Sequence, residues 1–247
     1  RGHAVEVYEK SNKVGGLIPL LASEFGKSDF MNCVRYAESQ LKKLGVPIHL
    51  NKELTKNELM ELKPDILVLA VGSEATLPVN LKGKPNVLTQ DESILKNKPI
   101  GKNIVVWGLE VYWKGGVETC ISLLEEGYNI KALIGPEKAV AEMIKTHQGR
   151  RFWLLNYLKK KNIPIYKKAK LLDVTPNEVI FLDENEKEQS IEADTLVYCG
   201  ARISNGKKLH EELQGVAPEI ILIGDASKPR DIEEAIKEAQ TFARKLK

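Results

Sequence analysis

The chain has 247 residues, 43% apolar and 29% charged, the make-up of a water-soluble globular protein with one large or two ordinary domains. No apolar run approaches the roughly 18–20 residues that a bilayer crossing needs, and no signal peptide opens the sequence, so no membrane partner is expected. A net charge of +3, with Lys and Arg scattered among Asp and Glu, does not predict nucleic-acid binding.

In chain order, residues 4–8 alternate and are rich in valine, so they read as a strand fed by the turn Arg1-Gly2-His3. A loop with Gly15-Gly16 follows. Phe30, Val34, Ala37, Leu41 and Leu44 recur at helical spacing over residues 28–44, and Gly45 stops that helix. Residues 46–50 read as a short strand and 58–62 as a helical turn closed by Pro64. The continuous apolar run 65–72 reads as a strand buried on both faces, as in a parallel sheet. Residues 74–100 carry four prolines and little periodicity, which puts the first domain boundary near Gly101.

A second cycle starts there: strand 103–107, a glycine loop 108–116, helix 117–126, strand 129–134, and helix 150–161 with Phe152, Leu155 and Leu158 on its apolar face. Strand 163–166 follows, then two or three antiparallel strands over 170–193 that turn at Asp183-Glu184-Asn185. Strand 195–199 runs into Gly200-Ala201-Arg202, and strand 220–223 into Gly224-Asp225-Ala226, before a last helix over 232–246. Strand–helix–strand twice over, with a small antiparallel insert, implies α/β architecture: doubly wound parallel sheets with right-handed crossovers. The expected domains are 1–100 with 203–247, and 101–202, and the mid-element start at Arg1 reads as a fragment of a longer polypeptide.

Glu9, followed by Lys10, ends the first strand, where a Rossmann unit places the acid that accepts hydrogen bonds from adenosine ribose hydroxyls; the bland alternative is a solvated turn. Gly15-Gly16 lets backbone approach a flat ligand closely, or makes an ordinary turn. Cys33, Cys120 and Cys199 have no metal or redox spacing, and the four histidines are scattered, so no metal site and no catalytic group emerges. All three cysteines are expected as buried apolar side chains in a reducing cytoplasm.

Residues 5–10 through Val14-Gly15-Gly16-Leu17, then Leu69-Ala70-Val71-Gly72-Ser73, then Ile221-Leu222-Ile223-Gly224-Asp225-Ala226 together resemble the FAD half of the pyridine nucleotide-disulfide oxidoreductase superfamily. The nearest likeness is to the C-terminal portion of old-yellow-enzyme-like NADH:flavin oxidoreductases: 2,4-dienoyl-CoA reductase, 2-enoate reductase and trimethylamine dehydrogenase. It covers nearly the whole chain and is most specific at Glu192-Ala193-Asp194-Thr195 through Gly200-Ala201-Arg202.

The resemblance implies two interleaved Rossmann-like, three-layer FAD- and NAD(P)-binding domains. It implies that Glu9 binds the adenosine ribose and that Gly15 and Gly16 pass close to flavin or diphosphate. Gly72 and Ser73 would lie at the crossing between domains, and Asp225 would accept from a ribityl hydroxyl, with Ala226 and the helix start near the diphosphate. It further implies electron transfer between NAD(P)H, FAD (or ADP in its place) and a flavin in an N-terminal barrel of the same polypeptide. That barrel would carry FMN and an iron–sulfur cluster and reduce an activated C=C bond of a small-molecule substrate. The 247 residues alone are then expected to be inactive, and homo-oligomerisation is left open.

Two departures stand out. The family's opening strand and its Gly-x-Gly-x-x-Gly loop would precede Arg1. The second such loop reads Gly108-Leu109-Glu110-Val111-Tyr112-Trp113-Lys114-Gly115-Gly116, without the middle glycine and with Glu110 facing a would-be diphosphate. Gly108, Gly115 and Gly116 remain the candidate phosphate contacts, helped by Lys114. Gly135-Pro136-Glu137 after the next strand leans to NADH over NADPH, and Arg150-Arg151 reads as a charged first helical turn before it reads as a phosphate site. The run of lysines at 159–161 reads as a solvated helix end. The altered loop keeps a second reading alive: a degenerate ADP-binding or structural domain with no nicotinamide binding of its own.

Overall fold

The computed structural model describes residues 2–109, 115–138, 148–200 and 202–246, with the backbone alone for Gln148 and Arg151. The chain forms two compact units, Arg1–Glu74 with Ile203–Lys247, and Ala75–Arg202.

The first unit opens with β1 (Val7–Tyr8), α1 (Ile18–Ala22), α2 (Met31–Lys43) and β2 (Ile48–His49), with β1 and β2 paired in parallel. The strand expected over 4–8 is shorter because only Val7 and Tyr8 find partners, Ile48 and His49. Pro19 suits the first turn of α1, where its missing N–H costs nothing. Then come α3 (Lys56–Leu62), β3 (Ile66–Leu69) and β4 (Ser73–Ala75). Thr55 and Glu58 form a reciprocal capping box at the start of α3 and fix where it begins.

The second unit contains β5 (Val87–Thr89), α4 (Gln90–Leu95), β6 (Asn103–Trp107), α5 (Gly116–Glu125), β7 (Asn129–Ile134) and α6 (Gln148–Lys160). It continues with β8 (Ile165–Tyr166), β9 (Lys170–Val174), β10 (Glu178–Leu182), β11 (Glu188–Glu192) and β12 (Thr195–Tyr198). Five strands make one sheet in the order β5-β12-β6-β7-β8, parallel at every pairing. The insert β9-β10-β11 is a three-stranded antiparallel sheet. It turns where the Asp183 carboxylate accepts from the backbone N–H of Asn185 and Lys187, and Glu186 takes a positive φ of 59°.

Helices and insert cover opposite faces of the sheet. Ile104, Val106, Val117, Ile121, Leu133, Leu154 and Leu158 form one core with α5 and α6. Val105, Trp107, Ala132, Ile134, Val179 and Phe181 form the other, against the insert. The two faces alternate along β6, as the period of a strand requires.

The chain then returns through β13 (Arg202–Ser204), which pairs with β4, α7 (Gly206–Glu212), β14 (Glu219–Leu222) and α8 (Ile232–Lys245). In the first unit β14 and β3 form a second parallel pair, residue for residue from Glu219 and Ile66 to Leu222 and Leu69. Its core is small, with Leu59, Leu69, Leu213 and Val216 buried together.

Several sequence expectations change. Residues 75–100, expected in the first unit, belong to the second: β5 adds to β12 as a sheet edge, and Leu81, Val87 and Leu88 are at most 1% exposed. The run 65–72 yields only a four-residue strand, and Val68 is 39% exposed, since among the described residues β3 pairs with β14 alone and one face lacks cover. On α6 the buried positions are Leu154 and Leu158, whereas Phe152 is 71% exposed; the i, i+4 pair, not the larger aromatic, sets the inward face. The short helices α1, α4 and α7 arise where sequence periodicity is too brief to read.

This uneven coverage has a measurable consequence. Amide hydrogen exchange in β6, β7 and β12 should be slower than in α2 and α8 by about 100-fold or more, since exchange tracks local burial. Equal rates in the two units would contradict the packing described.

Candidate functional site

In the first unit Glu9 directly follows β1, its backbone held by Glu9 N–H to His49 and Lys52 N–H to Glu9. Its Oε1 accepts from the backbone N–H and hydroxyl of Ser11, each at 2.8 Å. Among the described residues Oε2 has no partner, and Lys10 beside it is exposed. Beneath this turn Tyr8 stacks on His49 at 4.5 Å, and Glu6 accepts from both. Those two bonds hold the Glu6 carboxyl below its usual range, Tyr8 being the larger cause. Gly15 has φ +114°, and a methyl group there would come within 2.9 Å of Val34 Cγ2, so close packing against α2 demands glycine. Gly16 follows with open space where a side chain would stand.

A second group gathers at the carboxyl ends of β3 and β14. Ser73 is 6% exposed and its hydroxyl donates to Asp225 Oδ2 at 2.7 Å. Asp225 Oδ1 accepts from the Arg230 N–H at 3.0 Å. A carboxylate offers about four acceptor positions, so capacity remains. Gly72 accepts from Asn205 N–H, and the Ala226 carbonyl accepts from the Ser204 hydroxyl. Gly224 N–H donates to Glu238 Oε2 at 2.7 Å, and the same oxygen pairs with Arg230 Nη2 at 2.6 Å. Arg230 Nε is buried without a hydrogen-bond partner.

The structure therefore joins Gly72, Ser73, Gly224, Asp225 and Ala226 into one cluster. Glu9, Lys10, Gly15 and Gly16 form a separate turn of the same unit, and no hydrogen bond links the two groups among the described residues.

In the second unit Gly108 follows β6, and Gly115 with φ 57° leads into α5 at Gly116. A side chain at Gly116 would overlap the Gly108 carbonyl, and one at Gly108 would overlap the Cys199 carbonyl at the end of β12. These glycines permit tight contact of the helix start with two strand ends. Glu137, 9% exposed, points its carboxylate at this turn, where Oε2 accepts from Leu109 N–H at 3.1 Å. Glu110, Val111, Tyr112, Trp113 and Lys114 lie outside the described residues, as do Arg1 and Ala201.

Other sequence candidates have structural duties. Arg150 pairs with buried Glu118 of α5, which accounts for its position without a phosphate. Lys161 reaches Glu125 at 3.3 Å and caps the ring of Tyr157, while Lys159 and Lys160 are exposed. Asp194 accepts from the N–H groups of Lys102 and Asn103, and Arg202 grips Asp91 with two bonds of 2.7 and 2.8 Å. The stretch 192–202 thus ties the start of β6 and the end of β12 to their neighbours. Cys33 is exposed, contrary to expectation, because it lies beside rather than on the inward stripe of α2, whose only buried residue is Val34. Cys120 and Cys199 are buried, and burial pushes the Cys120 thiol up to about 12. No group of metal ligands occurs among the described residues, and none of their helices is long and apolar enough to cross a membrane.

Sequence reasoning missed Ser204, Arg230 and Glu238. Their signal is weak: single polar residues before Gly206 (Ser204), before the final helix (Arg230) and inside it (Glu238), which gain meaning only when β3 and β14 pair.

No protein-family model matches the chain. It is 27% identical over its whole length to a cinnamate reductase of Clostridium sporogenes, covering 36% of that protein. It is 26% identical over 98% of its length to a metal reductase of Desulforamulus reducens, covering 40% of it. The matched portions are C-terminal. The chain is thus similar to part of longer reductases. Its fold is also that of a solved 2-naphthoyl-CoA reductase, at a TM-score of 0.89 and 23% identity over 100% of this chain and 37% of the other. The structural likeness shows a Rossmann-like α/β architecture. The chain spans 36% to 40% of the length of these curated relatives.

Two outcomes test the site geometry. Gly116→Ala should lower stability to urea by about 1–3 kcal/mol, the usual cost of overpacking a closed site. Iodoacetamide should alkylate Cys33 in the folded chain and spare Cys120 and Cys199, read by peptide mass; prompt labelling of Cys120 would contradict its burial.

Proposed function

We propose that the chain is the dinucleotide-binding portion of a flavin-dependent NAD(P)H oxidoreductase, with FAD held by the first unit and a nicotinamide nucleotide by the second. The observation that carries this reading is the Ser73–Asp225 bond at the ends of two paired parallel strands, with a buried guanidinium N–H of Arg230 left open beside it. Ligands of open α/β sheets bind at such carboxyl ends.

The donor and acceptor set suits FAD. Glu9 keeps Oε2 for a ribose hydroxyl, and Asp225 keeps acceptor capacity for a ribityl hydroxyl, oriented by Ser73 and Arg230. Gly15 and Gly16 hold the turn open for close backbone approach, and Gly72, Gly224 and Ala226 hold the second cluster in register. Bound flavin would supply the redox chemistry, and the residues named here bind and orient it. Electrons would pass from NAD(P)H to FAD and on to a barrel-bound FMN, beside an iron–sulfur cluster in a preceding part of the same polypeptide. The final acceptor would be an activated C=C bond of an enoate or enoyl-CoA. A carboxylate at Glu137 disfavours a 2′-phosphate and so favours NADH. Cysteines that are all free suit the cytoplasm.

The parallel strands of the first unit stand as two separate pairs, and α8 buries none of its residues completely despite its amphipathic pattern. A strand and helix from a preceding segment would complete that unit, and the 247 residues by themselves would then hold FAD weakly.

One observation favours a second reading, in which the second unit binds no nicotinamide nucleotide. The Glu137 carboxylate takes the Leu109 N–H, a backbone donor that a dinucleotide phosphate would otherwise use.

The polypeptide that contains this chain should carry flavin absorbance when purified, and Asp225→Ala should lower its FAD content about tenfold or more, the cost of a lost buried hydrogen-bond acceptor. A colourless protein would refute the reading. NADH should bleach the flavin within the mixing time of a stopped-flow instrument; full bleaching by dithionite with none by NADH would select the second reading instead.

A further inference from the structure

The Gly224-Asp225-Ala226 turn lies between β14 and α8, and its shape decides where the Asp225 carboxylate points. Gly224 takes a φ of 60°, and glycine is the residue that leaves a chain freest to swing at such a point. Ser73 holds one Asp225 oxygen, through a hydroxyl that itself rotates. The direction of Asp225 therefore needs a restraint on the backbone of the turn.

α8 supplies that restraint from one face. Ala235 closes the space behind Gly224, where its methyl carbon would stand 3.3 Å from an added side chain. Glu238 comes three residues later, hence on the same helix face, and its Oε2 accepts from the Gly224 N–H at 2.7 Å. The bond spans 14 positions, from inside α8 back to the end of β14. The same oxygen accepts from Arg230 Nη2 at 2.6 Å, and the Arg230 backbone N–H donates to Asp225 Oδ1 at 3.0 Å. Arg230 thus bridges two carboxylates, one that grips the turn and one that the turn presents.

Neither helix capping nor charge pairing accounts for this arrangement. Asp231 already caps α8, its carboxylate accepting from the Glu234 N–H at 2.8 Å. The side chains of Arg230 and Glu238 are 32% and 31% exposed, and an ion pair that open to water adds little to stability. Its geometry is the more specific property. One charged oxygen shared by a backbone N–H and a guanidinium fixes both donors at once. Without Glu238, the guanidinium keeps Glu234 as its neighbour, with Nη1 3.8 Å from that carboxylate. Arg230 would then turn toward Glu234, and its backbone N–H would shift on Asp225.

We propose that Glu238 is a positioning residue for cofactor binding. Through the Gly224 N–H and Arg230 it sets the direction of the acceptor positions that Asp225 keeps for a ribityl hydroxyl, a role that rests on the reading of the first unit as an FAD site.

Isothermal titration with FAD of the FAD-stripped polypeptide that contains this chain tests the role. Glu238→Ala should raise the Kd about tenfold. Glu238→Gln, which can still accept from the Gly224 N–H, should stay within about threefold of the unaltered protein. In an Asp225→Ala background the loss from Glu238→Ala should shrink to about twofold or less, because a residue that acts through another adds little once that other is gone. Arg230→Met keeps its backbone N–H and releases its side chain from Glu238, so it repeats the test without altering the carboxylate. It should weaken FAD about fivefold, and much less in the Asp225→Ala background. Unchanged affinity in Glu238→Ala, equal losses in the two backgrounds, or a loss in Glu238→Gln as large as in Glu238→Ala would overturn the proposal. A loss in Asp225→Ala with none in Glu238→Ala or Arg230→Met refutes the positioning role alone. Full FAD affinity in Asp225→Ala refutes the FAD reading of this cluster and the role with it.

Discussion

A parallel strand buried on both faces cannot satisfy its neighbours locally, because each partner must arrive by a crossover from elsewhere in the chain. β6 is such a strand: Ile104 and Val106 face the helices, Val105 and Trp107 face the insert, and none of the four exceeds 6% exposure. Sealing it requires α5 and α6 on one side and the three-stranded insert on the other. The crossovers that bring β7 and β12 alongside gather the turns after all three strands at one edge. Gly108, Gly116 and the Cys199 carbonyl meet there because the strands they follow are neighbours.

The first unit is held differently. Its apolar core is small, and order at its carboxyl edge comes from a polar network: Ser73 to Asp225, Asp225 to the Arg230 backbone, Arg230 and the Gly224 N–H to Glu238. Each bond links residues on separate elements, so the network sets the start of α8 relative to β3 and β14. Polar networks in partly buried surroundings orient groups well and leave their unused lone pairs and protons facing the same space. That combination of rigid placement and spare capacity is what a cofactor contact needs.

Two carboxylates at comparable positions differ in consequence. Asp225 is oriented by a hydroxyl and one backbone N–H, with acceptor positions left over. Glu137 is nearly buried and takes a backbone donor of the very turn where an anion would sit. One carboxylate keeps acceptor capacity and the other is taken up by its own chain, a difference that residue identity does not carry.

Much was legible in the residues. Alternation and apolar runs marked β6, β7, β8 and β12 within about two residues, β5 went unread, and the strand–helix order pointed to a doubly wound α/β fold that the structural likeness bears out. Local chemistry suffices for such features: capping boxes, β-branched runs and glycine turns act within a few residues of themselves. Tertiary structure alone decided that residues 75–100 join the second unit, that Leu154 rather than Phe152 faces inward, and that Cys33 lies outside. It also decided that Ser73 meets Asp225 and that Trp107 lies parallel to Tyr198, 152 and 91 positions apart by their numbers. Those outcomes depend on which strand closes beside which, and strand neighbours in a parallel sheet are chosen by long crossovers that no short window of sequence contains.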